Sequence, residues 1–286
     1  MQKIVPAVWL NGVAEEAAQF YAQALPGARV DAVMAHPAGA EHAPLGVDLN
    51  IDGFQLTLIN GGDRYAPNPS VSFMLTFDPA QMDNAEQALR ETWAALMEGG
   101  QERMPLQSYD FSPLFGWCAD RYGVDWQLMM PQPGSPARPS VMPALLFTSK
   151  ARGKAAEARE AYIEALSAVA PSQPGVRVDY PENEGVILFS DAELAGVWTI
   201  INDSTFDHAF DFTPGISFQV LCQDQAQIDA VWQALAAEEQ PCGWCTDRYG
   251  VSWQVLPENL DELLRGPGAW EKFQDMRKIQ LEELRG

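Results

Sequence analysis

The chain has 286 residues, 47% of them hydrophobic and 20% charged, a composition that supports a packed core and excludes the polar class of disordered chains. Its 18 Lys and Arg stand against 39 Asp and Glu, for a formal charge of −21, and a field of that sign repels phosphate backbones and anionic lipid heads. Nucleic acid and membrane surfaces are therefore excluded as partners. No apolar run reaches the roughly 20 residues of a membrane span, and the amino-terminal apolar stretch is short and followed by Asn11, Glu15 and Glu16, unlike a signal peptide. The expectation is a cytoplasmic protein with its four cysteines reduced.

In chain order, Ile4 to Leu10 reads as an apolar strand, and Ala14, Ala17, Ala18, Tyr21 and Leu25 recur at helical spacing. Val47, Leu49 and Ile51 alternate up to Asp52-Gly53, and Phe54, Leu56 and Leu58 alternate after it, the pattern of a hairpin. Asn60-Gly61-Gly62 closes it. Val71 to Phe77 alternates again, Pro79 to Met97 is an amphipathic helix stopped by Gly99-Gly100, and Val124 to Met129 is a strand after the Tyr122-Gly123 turn. The plan is βαβββ, and it recurs. Gly116 to Gln127 (GWCADRYGVDWQ) and Gly243 to Gln254 (GWCTDRYGVSWQ) agree at ten of twelve positions. Val5-Pro6-Ala7 matches Met142-Pro143-Ala144, and Val71-Ser72-Phe73 matches Ile216-Ser217-Phe218, in the same order. The chain is a tandem duplication. Pro131 to Pro139 suits a stiff linker, so domains are expected over 1–133 and 138–260. Residues 261–286 are expected to form a C-terminal amphipathic helix presenting Trp270, Phe273, Ile279 and Leu284.

Strand parity selects candidate ligand residues. If Val124, Trp126 and Leu128 face the helices, Asp125, Gln127 and Met129 face the other way. The same reasoning sets Ser70, Ser72, Met74 and Thr76, with Gln55 and Thr57, on the opposite face of copy one, and Ser217, Gln219 and Gln254 on that of copy two. Hydroxyls, amides and methionine suit a neutral or weakly polar organic ligand. Arg121 and Arg248 each follow an Asp before a tight turn. They read either as part of a local clamp or as one carboxylate-binding Arg per copy. Trp9, at a strand end, could stack on a ligand. His36 and His42, with Glu41 beside the second, could reach a metal from a loop, and His208 could cover the copy-two cleft; solvated loops are the plainer reading of all three. Cys242-Gly243-Trp244-Cys245 has dithiol spacing, but it precedes a turn and strand, whereas a low-pKa dithiol opens a helix.

The segment from Trp9 to Tyr21, the Asn60-Gly61-Gly62 turn, Ile216 to Val220 and the two GWC(A/T)DRYGV(D/S)WQ segments together resemble the PhnB-like proteins of the glyoxalase, bleomycin-resistance and dioxygenase superfamily, the vicinal oxygen chelate proteins. The resemblance spans nearly the whole chain. It implies an α+β fold of tandem glyoxalase-like domains, each of two βαβββ modules whose curved mixed sheet surrounds a cleft. Single-copy relatives resemble dimers, which implies a monomer acting as a pseudo-dimer, or a homodimer. Members often carry the label 3-demethylubiquinone 3-methyltransferase; a conventional methyltransferase would hold its adenosyl cofactor at a glycine-rich strand-to-helix turn, whereas Gly61-Gly62 follows a hairpin and precedes a loop. The superfamily's usual metal pattern places a His before the strand that is Val71 to Phe77 here and a Glu near the end of the last strand. This chain has Ser70 and Gln127 in copy one, and Gly215 and Gln254 in copy two, a weak set for a transition metal. The pair Asn-Glu usual before the Ser-Phe strand is Asn68-Pro69 and Thr213-Pro214 here.

The expected function is binding of a small organic molecule, with no cofactor and no conventional metal site. Whether the chain is an enzyme stays open. The alternatives are a lyase, isomerase or dioxygenase using a divalent metal, a drug-sequestering protein of the resistance type, and an interaction module whose clefts bind nothing.

Overall fold

The computed structural model describes residues 2–36 and 42–285. The first repeat contains β1 (Ile4–Leu10), α1 (Ala14–Ala24), β2 (Ala28–Met34), β3 (Gly46–Ile51), β4 (Phe54–Asn60), β5 (Val71–Thr76), α2 (Ala85–Met97), β6 (Gln101–Tyr109), β7 (Ser112–Ala119) and β8 (Asp125–Met130). The second contains β9 (Val141–Phe147), α3 (Ala155–Leu166), β10 (Gln173–Tyr180), β11 (Asn183–Leu194), β12 (Val197–Asp203), β13 (Ile216–Cys222), α4 (Gln225–Leu235), β14 (Glu238–Glu239), β15 (Trp244–Thr246) and β16 (Ser252–Pro257). Three short helices follow, α5 (Leu260–Leu263), α6 (Ala269–Asp275) and α7 (Leu281–Arg285).

These strands form two eight-stranded mixed sheets, in the orders β14-β15-β16-β13-β1-β4-β3-β2 and β10-β11-β12-β9-β5-β8-β7-β6. Each sheet therefore joins one βαβββ module from each repeat. The chain divides into two compact units, residues 8–145 and residues 1–7 with 146–286. In the first unit β5 runs parallel to β8 and antiparallel to residues 141–145 of β9. In the second, β13 runs parallel to β16, and the Leu221 N–H donates to the Lys3 carbonyl at 2.9 Å.

Local chemistry explains the element boundaries. The β3–β4 hairpin turns on Asp52 (φ 50°) and Gly53 (φ 90°), both left-handed as a two-residue hairpin turn requires. The helix expected from Pro79 begins only at Ala85, because the Asp78 carboxylate holds the Ala80 N–H (2.9 Å) and the Gln81 amide (3.0 Å) in a turn. The single C-terminal helix expected over 261–286 is instead broken into pieces. Gly266-Pro267-Gly268 separates α5 from α6, and Met276 and Arg277 are drawn out of helix by backbone bonds from the Cys242 N–H (2.7 Å) and the Gly243 N–H (3.0 Å). Ile279 is fully buried in that non-helical stretch. Tertiary pairing here overrides helical spacing.

The cores follow the parity expected for β8 and its repeat. In the first unit Trp126, Phe73 and Tyr21 meet between α1 and the sheet, with ring centroids 5.3–5.4 Å apart. Trp253, Phe218 and Tyr162 repeat this arrangement in the second unit at 5.2–5.4 Å. All of these rings are buried, and aromatic burial on this scale dominates core energetics.

Candidate functional site

The repeated GWC(A/T)DRYGV(D/S)WQ segment does two jobs, one on each side of the sheet. On the helix side, Asp120 is buried and its carboxylate accepts four hydrogen bonds. Oδ2 takes Tyr21 Oη (2.7 Å) and Trp126 Nε1 (2.8 Å); Oδ1 takes the Tyr122 N–H (2.8 Å) and the Val124 N–H (3.1 Å). Asp247 repeats the pattern with Tyr162 (2.7 Å), Trp253 (2.9 Å), Tyr249 (2.8 Å) and Val251 (3.0 Å). Burial pushes both carboxyls above the ordinary value, and the four donors pull the other way. The clamp pins a turn to a helix from elsewhere in the same repeat. It explains why Asp, Tyr-Gly and Trp recur at fixed spacing.

The arginines are not part of it. Arg121 donates to the Glu98 carbonyl (3.0 Å) and lies over the Phe20 ring at 4.5 Å. Arg248 pairs with Glu157 (3.3 Å) and lies over Tyr249 at 4.9 Å. Both are exposed on the helix side and are not brought to the face that carries the glutamines.

That opposite face is polar at its centre. In the first unit, strand register sets Ser72 beside Asp125 and Ala144, Met74 beside Gln127 and Met142, and Thr76 beside Met129. Across β7, Trp117 stands opposite Gln127 and Phe115 opposite Met129. Gln127 Nε2 donates to Ser72 Oγ at 2.8 Å, which leaves the serine its own proton to give. Asp125 is 0% exposed; its Oδ1 accepts Trp117 Nε1 (2.9 Å) and Arg103 Nε (3.1 Å). Burial raises its carboxyl to about 6 despite the Arg103 charge.

The second unit varies this theme. Gln254 Nε2 donates to Ser217 Oγ at 2.9 Å, and Gln219 Nε2 approaches Gln254 Oε1 at 3.5 Å. Register sets Ser252 beside Ser217, where the first repeat has Asp125 beside Ser72, and Gln219 beside Gln254, where it has Met74 beside Gln127. Among the described residues, three buried side-chain oxygens have no hydrogen-bond partner in the protein: Thr76 Oγ1, Asp125 Oδ2 and Ser252 Oγ. By strand parity all three belong to these helix-free faces.

The remaining candidates go elsewhere. Gln55 and Thr57 do not share a sheet with Ser72 and Gln127, because β4 and β5 belong to different sheets; the expectation of one common face is corrected. Parity assigns a face, but a strand's partner depends on the whole topology. Thr57 Oγ1 donates to Asp48 at 2.9 Å. Ser70 is buried just before β5, its N–H held by Asn68 Oδ1 at 2.9 Å. Trp9 donates Nε1 to the Gly62 carbonyl at 2.9 Å, and its indole lies so close to Gly61 that a Cβ there would collide with it. Asn60 completes this turn by accepting the Ala14 N–H at 2.9 Å. The Asn-Gly-Gly motif thus seats Trp9 and caps α1.

The His36 and His42 rings lie 4.7 Å apart, while Glu41 lies outside the described residues. His208 Nε2 meets Ser204 Oγ at 2.7 Å. Burial raises the thiols of Cys242 and Cys245, the latter to about 12, opposite to what a reactive dithiol needs. A hollow of about 540 Å³ along α2, lined by Glu86, Gln87, Arg90, Glu91 and Ala94, is an open helix flank where Arg90 already pairs with Glu86 at 2.8 Å. Among the described residues no group of three or more His, Cys, Asp or Glu could hold a metal ion, and no helix is long and apolar enough to cross a membrane.

Sequence reasoning named the serines and glutamines and set Asp125 on their face by alternation, but it did not find Arg103 or the hydrogen bond from Trp117. Arg103, the partner of Asp125, lies on another strand, 22 residues back, a pairing that no local pattern shows.

Comparison with known proteins accounts for both repeats. The family model described as 3-demethylubiquinone-9 3-methyltransferase matches residues 2–129 and again residues 139–256. Among solved structures, the chain is similar to a PhnB protein from Bacillus cereus to which the same methyltransferase label is provisionally attached, at 26% identity over 45% of this chain and 99% of that one, TM-score 0.40. It is also similar to glyoxalase I from Zea mays, at 14% identity over 93% of this chain and 94% of that one, TM-score 0.56. The maize likeness is one of fold, and it spans both repeats. No curated protein matches the chain.

Proposed function

This chain belongs to the PhnB-like family described as 3-demethylubiquinone-9 3-methyltransferase, and on that premise we propose that it binds small organic molecules on the helix-free faces of its sheets without a conventional metal site. One observation carries the reading: the three buried side-chain oxygens that lack a partner among the described residues all belong to these faces. Buried polar groups in native proteins are nearly always hydrogen-bonded, and leaving one unpaired costs about 1–3 kcal/mol. A ligand bearing its own polar groups relieves that cost. Around these atoms, methionines and Trp117 supply the apolar surface that small-molecule sites are built from.

The donor sets do not fit a metal-assisted reaction. A transition metal prefers imidazole, thiolate or carboxylate, whereas the positions that carry ligands in the wider superfamily are Ser70, Gly215 and two glutamines. Those glutamine amides are engaged with serine hydroxyls at 2.8 and 2.9 Å. The adenosyl cofactor of a methyltransferase fits no better. Neither sheet is doubly wound, and the helices that follow β1, β9 and β13 start on donors already engaged: the Ala14 N–H by Asn60 (2.9 Å), the Ala155 N–H by the Asp203 carboxylate (3.2 Å) and the Gln227 N–H by Asp224 (2.9 Å).

A fragment screen by thermal shift on the wild type, Gln127→Ala and Gln254→Ala tests the reading. Each substitution is expected to weaken fragments bound at its own face by about five- to tenfold, in keeping with the loss of one or two hydrogen bonds. Fragments that stabilise all three proteins equally would overturn the assignment of these faces.

A further inference from the structure

The first-repeat face carries a charge that its counterpart lacks. Asp125 and Ser252 occupy equivalent positions, each followed by the Trp-Gln pair and each in register with a buried serine, Ser72 or Ser217. Both retain a buried oxygen with no partner. From this we infer that the first face selects a ligand with a protonated amine, which Asp125 Oδ2 receives, and that the second face takes a neutral group at the same point. The inference rests on the proposed binding function and names its ligand class.

Asp125 is well prepared for that task. Its Oδ1 is held by the Trp117 indole and by Arg103, so the carboxylate is fixed while Oδ2 stays free. Arg103 is its ion-pair partner among the described residues, at 3.1 Å, and lies on the edge strand β6 with a third of its side chain exposed. An ammonium ion reaching Oδ2 completes a charge-assisted hydrogen bond in a site already shielded from water. The second unpartnered oxygen of this face, Thr76 Oγ1, sits on the adjacent strand four residues beyond Ser72, a separation of about 13 Å at the usual rise per strand residue. Met74 and Gln127 lie between them. The matching ligand has an ammonium group at one end, an apolar middle, and a hydroxyl or carbonyl at the other end.

Three probes that differ at one end test this: α,ω-aminooctanol, octanediol and ω-hydroxyoctanoate, titrated calorimetrically into the wild type, Asp125→Asn and Arg103→Gln. Aminooctanol is expected to bind the wild type at least about tenfold more tightly than octanediol, the margin of a charge-assisted over a neutral contact, with hydroxyoctanoate weakest. Asp125→Asn should bring aminooctanol and octanediol within about threefold of each other, and Arg103→Gln should strengthen aminooctanol by removing the competing cation. Thermal melting of each variant checks that it is folded, and Asp125→Ser, the second repeat's own residue, replaces Asp125→Asn if that one is not. Equal binding of aminooctanol and octanediol to the wild type overturns the ammonium assignment but leaves the binding face standing. No binding by any probe, together with a blank fragment screen, overturns both.

Discussion

The two repeats are nearly identical where they hold themselves together and different where a ligand would meet them. Asp120 and Asp247 accept the same four donors at distances that agree within 0.1 Å. On the other side of the same strands, Asp125 becomes Ser252 and Met74 becomes Gln219. The hairpin arm of nine and eight residues, β6 and β7, shrinks to the two and three residues of β14 and β15. Beside that shortened arm, residues 276 and 277 of the C-terminal segment pair with 242 and 243. A duplicated segment thus conserves its scaffold and diversifies its face. The recurring motif marks the former more than the latter.

Substitutions can break this comparison. The largest effect is expected at the clamp: Asp120→Ala and Asp247→Ala each strand two backbone N–H groups, a tyrosine and a tryptophan in the core, and should cost about 3–5 kcal/mol apiece in urea denaturation. Equal losses mean that the clamps are equivalent; a loss under about 1 kcal/mol at either contradicts the structural role.

Asp125 should separate the faces by pH. Its folded-state value of about 6 lies above its unfolded value, so the folded state holds the proton more tightly. The contribution to stability is therefore full below about pH 4 and is lost as pH rises to about 6, by on the order of 3 kcal/mol. Asp125→Ser should remove that slope from the difference between variant and wild-type curves. Parallel curves would mean that the carboxyl is not buried as described, since burial is what raises it, against the downward pull of Arg103 and Trp117 and with a smaller upward push from Asp120.

The smallest effect is expected for Arg121→Ala and Arg248→Ala, under about 1 kcal/mol, as for exposed pairs generally. Neither should alter ligand affinity on either face. A tenfold loss of affinity would restore the reading in which these arginines bind a substrate carboxylate.

Much of the fold was legible in the residues. Alternation located β3, β4, β5 and β8 to within a residue or so, Asp52-Gly53 located a hairpin, and the repeated twelve-residue segment exposed the duplication. The pairing of modules was not legible, because alternation says which way a side chain points and not which strand lies next to it. The role of Asp120 was half legible. Its turn is local, but its Tyr21 partner is 99 residues away. Arg121, adjacent in sequence, was the obvious partner, yet it pairs with Glu98. Asp125 was visible as the single acid on its face, and its Arg103 partner, 22 residues back on another strand, was not.

The central claim is that these faces bind a small organic molecule without a metal. It is tested most directly by measuring the affinity of the best-binding fragment after exhaustive chelation and again in excess Zn(II), Ni(II) or Mn(II). The account predicts the same Kd in every condition, with affinity lost when the glutamine of the binding face, Gln127 or Gln254, is replaced. A Kd that collapses on chelation and returns with one of the metals would contradict it.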